Sequence, residues 1–177
     1  MKLDKLKGTG VALVTPFHKD GSIDFKSFKK LIDRCISGNV DYLVPLGTTG
    51  ETVTLGADER RAVMDFVVEA NAGRVPVMMG LGGNNTAEIL RAFDFYDFSG
   101  IDAILSVSPY YNRPSQRGIF QHYRMIADES PVPVIAYNVP SRTGSNIDAQ
   151  TALELAHEVP NLVGIKEASG NLERAMK

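Results

Sequence analysis

The chain has 177 residues, 44% hydrophobic and 23% charged, and its 19 basic and 21 acidic side chains leave a formal net charge of −2. Such a composition suits a globular fold with a substantial core, and the interspersed charges exclude a basic face for nucleic acid or an anionic membrane, so small molecules are the expected partners. Cys35 is the single cysteine, which excludes an internal disulfide, and the start from Met1 to Lys5 opens no apolar stretch suited to a signal peptide or membrane span; a reducing cytoplasm fits best.

The first β-rich apolar run covers residues 11–14 and is followed by Thr15 and Pro16. Phe25, Phe28, Leu31, Ile32, Cys35 and Ile36 then recur at i, i+3, i+4 and predict an amphipathic helix, N-capped by Asp24 and ended by Gly38. A run at 42–46 leads into Gly47-Thr48-Thr49-Gly50-Glu51, and Ala62, Val63, Phe66, Val67 and Ala70 mark the next helix. The run at 77–81 is followed by Gly82-Gly83-Asn84-Asn85 and a helix through Ile89, Leu90, Phe93 and Tyr96, with Asn85 and Glu88 at capping-box spacing. After the run at 103–107 come Ser108 to Asn112 and a helix through Ile119, Phe120, Tyr123, Ile126 and Ala127. The run at 132–137 precedes a polar stretch, 138–144, and a shorter helix from Asp148 through Leu153 and Ala156 to His157. The last run, 162–166, ends at Lys166, and a sixth helix is expected to open at Asn171.

Run starts lie roughly 26 to 35 residues apart, the size of a βαβ unit. Strands apolar on both faces, alternating with helices, predict a parallel sheet covered by helices, either doubly wound or closed as a (β/α)₈ barrel; periodicity does not distinguish them. Polar and glycine-rich residues follow each run, as in a catalytic rim built from βα loops. Six βα units are visible where a barrel needs eight, so the expectation is one domain over residues 1–177, an incomplete barrel.

Lys166 stands where a buried strand emerges. It either snorkels to the rim or pairs with a carboxylate such as Glu167, or it is a Schiff-base nucleophile. The nucleophile must be neutral, yet at an ordinary pKa of about 10.4 roughly one lysine in a few thousand is neutral at pH 7. Burial that lowers the pKa by about three costs about 4 kcal/mol, which a rigid scaffold can sustain. Tyr137 ends the preceding run, and a parallel arrangement puts its phenol at the same rim, within reach for proton transfer. Thr48 and Thr49, between glycines, allow backbone amides to approach a carboxylate, or form only a turn. Tyr110 and Tyr111 read as packing or interface residues unless the site recruits them. Arg142 is suited to bidentate carboxylate contact or is an exposed loop arginine. His18, His122 and His157 are far apart with no carboxylate cluster at ligand spacing, and neither a complete dinucleotide fingerprint nor a phosphate loop occurs, so neither metal nor cofactor is expected.

Taken together, Gly47-Thr48-Thr49-Gly50-Glu51, Tyr110-Tyr111-Asn112, the stretch from Tyr137 to Gly144 and Gly164-Ile165-Lys166-Glu167-Ala168 closely resemble the dihydrodipicolinate synthase family of pyruvate-dependent class I aldolases and lyases. The resemblance covers essentially the whole chain. It implies a (β/α)₈ barrel in a homotetramer, a dimer of tight dimers, that condenses pyruvate with aspartate semialdehyde to 4-hydroxy-tetrahydrodipicolinate, on the route to diaminopimelate and lysine. It also implies that Lys166 forms the Schiff base and Tyr137 is the acid/base group. Thr48 would link Tyr137 to Tyr111, which reaches into a neighbouring subunit's site. Thr49 would hold the pyruvate carboxylate and Arg142 that of aspartate semialdehyde. A sugar-acid aldolase such as N-acetylneuraminate lyase is the alternative, although those relatives usually carry serine where Thr48 stands and lack the Tyr-Asn and Ser-Arg-Thr-Gly combinations. Asn84, Glu88 and Tyr110 fall where some members bind inhibitory lysine, while Ala57 and Arg60 replace histidines of inhibited members. The resemblance further implies two strands, their helices and a helical extension beyond Lys177. The isolated chain is therefore expected to be poorly active or to need a completing partner, or else to be an inactive piece that binds a full-length family member through open strand edges.

Overall fold

The computed structural model describes residues 4–176, so Met1 to Leu3 and Lys177, on which the expectations about the chain's start and stop fall, lie outside the described residues. The chain divides into two compact units, residues 1–80 with 98–103 and residues 81–97 with 104–177.

In the first unit β1 (Gly10–Ala12) runs parallel to β2 (Tyr42–Val44), with Val11 opposite Leu43. On the other side of β2 lies β3 (Met78–Gly80), where Leu43 N–H donates to Pro76 O at 3.0 Å and Gly80 N–H to Pro45 O at 2.9 Å. Helix α1 (Phe25–Ser37) begins as its sequence predicts: the Asp24 carboxylate accepts from the Ser27 amide at 2.9 Å and from the Ser27 hydroxyl at 2.6 Å. The Gly38 N–H closes it on the carbonyls of Arg34 and Cys35. Its apolar stripe meets α2 (Ala57–Asn71), with Phe66 4.8 Å from Phe25 and 5.9 Å from Phe28 between ring centroids. Phe28, Ile32, Val63 and Val67 are buried to 1% exposure or less, each contributing about 1.5–3 kcal/mol by leaving water. The first run is shorter than expected: the strand stops at Ala12, and Val14 is 48% exposed.

The second unit contains α3 (Thr86–Phe95), β4 (Ala103–Val107) from Ile104 onward, α4 (Gln116–Glu129), β5 (Val134–Asn138), α5 (Pro140–Thr143), α6 (Ala149–Glu158), β6 (Leu162–Glu167) and α7 (Leu172–Ala175). β5 lies between β4 and β6, and all three are parallel. Along β4 and β5 the register runs without interruption from Ile104 opposite Val134 to Val107 opposite Tyr137. Between β5 and β6 it shifts: Val134 faces Leu162 but Ile135 faces Gly164, so Val163 is an extra residue in a β-bulge. Helix α4 buries Ile119, His122, Tyr123, Ile126 and Ala127 and packs on β5, β6, α3 and α6.

Two local expectations fail. Asn85 makes no side-chain cap on α3, whose following residue, Thr86, instead directs its hydroxyl to His122 Nδ1 at 2.8 Å. The stretch 138–144, read as loop, contains the four-residue helix α5, opened by Pro140 and closed by the left-handed Gly144, φ 67°. Among the described residues no helix is long and apolar enough to cross a membrane.

Candidate active site

The carboxyl ends of β4, β5 and β6 form one row in which Val107 faces Tyr137 and Tyr137 faces Lys166. Residues opposite one another on parallel strands project from the same face, so the register brings the lysine and the phenol together. Lys166 Nζ lies 4.3 Å from the Tyr137 ring centroid, inside the roughly 6 Å range of a cation–π contact. Tyr137 is buried, at 8% exposure.

The expected burial of Lys166 is not found, because its side chain is exposed. The reason is local: β6 has a strand neighbour on one side, β5, among the described residues, and the burial pattern opens along it from Leu162 to Lys166. Among the described residues no ion pair joins Lys166 to Glu167 either. Successive strand residues point to opposite faces, and Glu167 is engaged elsewhere, one oxygen accepting from Asn138 Nδ2 at 2.8 Å and the other from the Ser169 amide at 2.7 Å.

Asn138, fully buried, uses its whole side chain: Nδ2 also donates to Asn146 Oδ1 at 3.0 Å, and Oδ1 accepts from the Ile147 amide at 3.0 Å. Beneath the row, Tyr123 donates its hydroxyl to Ser106 O at 3.1 Å, and burial pushes its pKa far above the usual phenol range. Tyr123 therefore remains a protonated structural donor, and Tyr137 is the phenol of this unit that faces the lysine.

After β4, Ser108 is buried while Tyr111 is 87% exposed and left-handed, φ 71°. The Asn112 amide donates to Tyr110 O at 2.8 Å across Tyr111, a γ-turn that is uncommon and strained for a side-chain-bearing residue. Arg113 is likewise left-handed, φ 45°. Asn112 Nδ2 reaches Asn84 O at 3.1 Å, tying the tyrosine loop to the turn before α3, where Glu88 is exposed in the first helical turn. Tyr110 is half-buried. Arg142 is exposed on α5.

Thr48 and Thr49 belong to the first unit. Both are exposed in a short 3₁₀ turn between the left-handed residues Leu46 and Glu51. The turn is anchored by the buried Thr15, whose hydroxyl donates to Gly50 O at 2.8 Å.

Lys166 and Tyr137 are thus in contact, and Arg142, Tyr110, Tyr111, Asn84 and Glu88 share their unit. The sequence reading missed Asn138 and Glu167 as partners. They flank Tyr137 and Lys166 in the motifs, and strand alternation alone assigns them to a common opposite face. Among the described residues no group of three or more histidine, cysteine or acidic side chains is arranged to hold a metal ion.

Residues 5–177 match the model of the dihydrodipicolinate synthetase family. The chain is 55% identical to the 4-hydroxy-tetrahydrodipicolinate synthase of Cytophaga hutchinsonii over 170 residues, which cover 96% of this chain and 57% of the relative. It is 54% identical to that of Flavobacterium psychrophilum, with 96% and 58% covered. Among solved structures, dihydrodipicolinate synthase from Aquifex aeolicus superposes with a TM-score of 0.89 at 40% identity, over 94% of this chain and 57% of the other. The enzyme from Acinetobacter baumannii, solved in complex with pyruvate, superposes at 0.90 and 43% identity, with 94% and 57% covered. The chain therefore spans just over half the length of these relatives, and its fold is of the (β/α)₈-barrel class with six βα units present. With motifs, strand order and both comparisons in agreement, the chain belongs to the dihydrodipicolinate synthetase family.

Proposed function

We propose that this chain carries the Schiff-base machinery of a pyruvate-dependent lyase, and that the whole protein condenses pyruvate with aspartate semialdehyde to 4-hydroxy-tetrahydrodipicolinate. The observation that carries this reading is Lys166 Nζ 4.3 Å from the Tyr137 ring, on adjacent strand ends of a family member. The neutral Lys166 amine adds to the pyruvate carbonyl, and loss of water from the carbinolamine gives an iminium. Tyr137 supplies the proton that the leaving hydroxyl takes, and its phenolate then removes a methyl proton to give the enamine. The enamine carbon bonds to the aldehyde carbon of aspartate semialdehyde, whose oxygen takes up a proton. The substrate amine then attacks the re-formed iminium, closing the ring and releasing Lys166. The lysine itself is the electron sink, so this chemistry uses no cofactor.

In the same reading Thr48 relays protons between Tyr137 and Tyr111, and Thr49 with nearby amides holds the pyruvate carboxylate. Arg142 takes the carboxylate of aspartate semialdehyde, a role its exposed guanidinium suits. Tyr111, bare and strained, completes a neighbouring subunit's site in a cytoplasmic homo-oligomer, a dimer of dimers. Asn84, Glu88 and Tyr110 form the candidate effector site. Because Lys166 is exposed here, the 177-residue chain is expected to react slowly with pyruvate.

Substrate choice separates this reading from a sugar-acid lyase. Incubation with pyruvate and aspartate semialdehyde should give the cyclic product, whereas N-acetylneuraminate should not be cleaved. Cleavage of the sugar acid without condensation would overturn the assignment.

A further inference from the structure

The β-bulge at Val163 poses a problem for a site built on strand register. Upstream of it Val134 faces Leu162; downstream Ile135 faces Gly164, so the single pair upstream does not set the register of the four pairs that follow. A slip of one residue beyond the bulge would turn Lys166 to the opposite face, away from Tyr137. Backbone rungs do not prevent this, since they are the same for every residue.

Two side chains do distinguish the native register. Asn138 faces Glu167 on the face opposite the Tyr137–Lys166 pair, and Asn138 Nδ2 donates to Glu167 Oε2 at 2.8 Å. Neither group is free to follow a slipped strand. Asn138 is fully buried and held by Asn146 and the Ile147 amide, and Glu167 is held by the Ser169 amide. The last rung, from the Ala168 N–H to Asn138 O at 2.9 Å, closes the ladder beside them.

We propose that Asn138 and Glu167 are positioning residues: a side-chain staple across β5 and β6 that fixes the register beyond the Val163 bulge and so holds Lys166 over Tyr137. The staple rests on the Schiff-base reading for its purpose but not for its existence.

The test reads register and chemistry separately. Interstrand NOEs between backbone protons of Tyr137 and those of Lys166 and Glu167 should be present in the 177-residue chain. They should be retained in Glu167→Gln, whose amide oxygen still accepts from Asn138, and lost in Glu167→Ala and Asn138→Ala. Borohydride trapping of pyruvate at Lys166 should follow the same order. The alanine variants should fall by about a hundredfold, as for a misplacement of about 1 Å. A merely structural role would lower the melting temperature while the interstrand NOEs and the trapping rate of the folded variants stayed native. Should Asn138→Ala fail to give a dispersed spectrum, Glu167→Ala carries the test, because it leaves the bonds of Asn138 to Asn146 and Ile147 in place. Retention of the NOEs in folded Glu167→Ala overturns the proposal. Native NOEs without any adduct at Lys166 would count against the Schiff-base reading alone, and the staple would then be upheld or overturned by the NOEs of the variants.

Discussion

His122 should make this chain lose stability in mild acid. Its side chain is 4% exposed on the inner face of α4, Nδ1 is joined to the Thr86 hydroxyl at 2.8 Å, and Nε2 has no hydrogen-bond partner among the described residues. The ring also sits edge-on to Tyr123, with centroids 5.3 Å apart. Burial without a countercharge pushes the imidazole from its ordinary 6.5 down to about 4. The unfolded chain therefore binds a proton between those values that the folded chain refuses. The contribution is fully present above pH 6.5, is lost as pH falls toward 4, and changes no further below. At about 1.36 kcal/mol per pH unit, the loss over that window is about 3 kcal/mol, a large part of the stability of an ordinary domain. Urea unfolding at several pH values, for the native chain and for His122→Gln, isolates the effect from the carboxylates that titrate nearby in pH. The gap between the two stability curves should close or invert by about 3 kcal/mol from pH 7 to pH 4. Parallel curves would mean that His122 is not the source of the acid sensitivity.

Replacing Tyr137 with Phe keeps the ring beneath Lys166 and should cost little stability, but pyruvate trapping should fall by about 10²- to 10⁴-fold through loss of the acid/base hydroxyl, measured by adduct formation against time. Arg142→Ala, at an exposed position, should change unfolding free energy by less than about 0.5 kcal/mol and leave pyruvate trapping intact while suppressing condensation with aspartate semialdehyde. Gly144→Ala should destabilise the second unit by more than about 1 kcal/mol in denaturant titration, because φ is 67° there and a Cβ would lie 2.8 Å from Arg113 Nε.

What was legible in the sequence followed from patterns that a single segment carries. The α1 stripe from Phe25 to Ile36, its Asp24 cap and its Gly38 stop all need only local spacing, and all three occur. The apolar runs at 103–107, 132–137 and 162–166 became β4, β5 and β6 because strands covered on both sides need no alternation. Helix α5 escaped notice because four residues are too few to show a 3.6-residue period. Asn85 had the spacing of a cap, but the competing partner of the helix start, His122, lies 36 residues downstream of Thr86. The meeting of Lys166 with Tyr137 could be anticipated from parallel strand ends, whereas the Asn138–Glu167 bond depends on a register that the Val163 bulge resets. The exposure of Lys166 was misjudged because a residue that ends an apolar run is buried only if strands flank it on both sides, and that is a tertiary property.

Lys166 is the amine proposed to take up pyruvate, and reduction of the chain with borohydride in the presence of pyruvate tests that role directly. Peptide mass mapping should place the added mass on Lys166 in preference to the other exposed lysines. Folded chain with no adduct at Lys166, or with adducts spread evenly over the surface lysines, would contradict it.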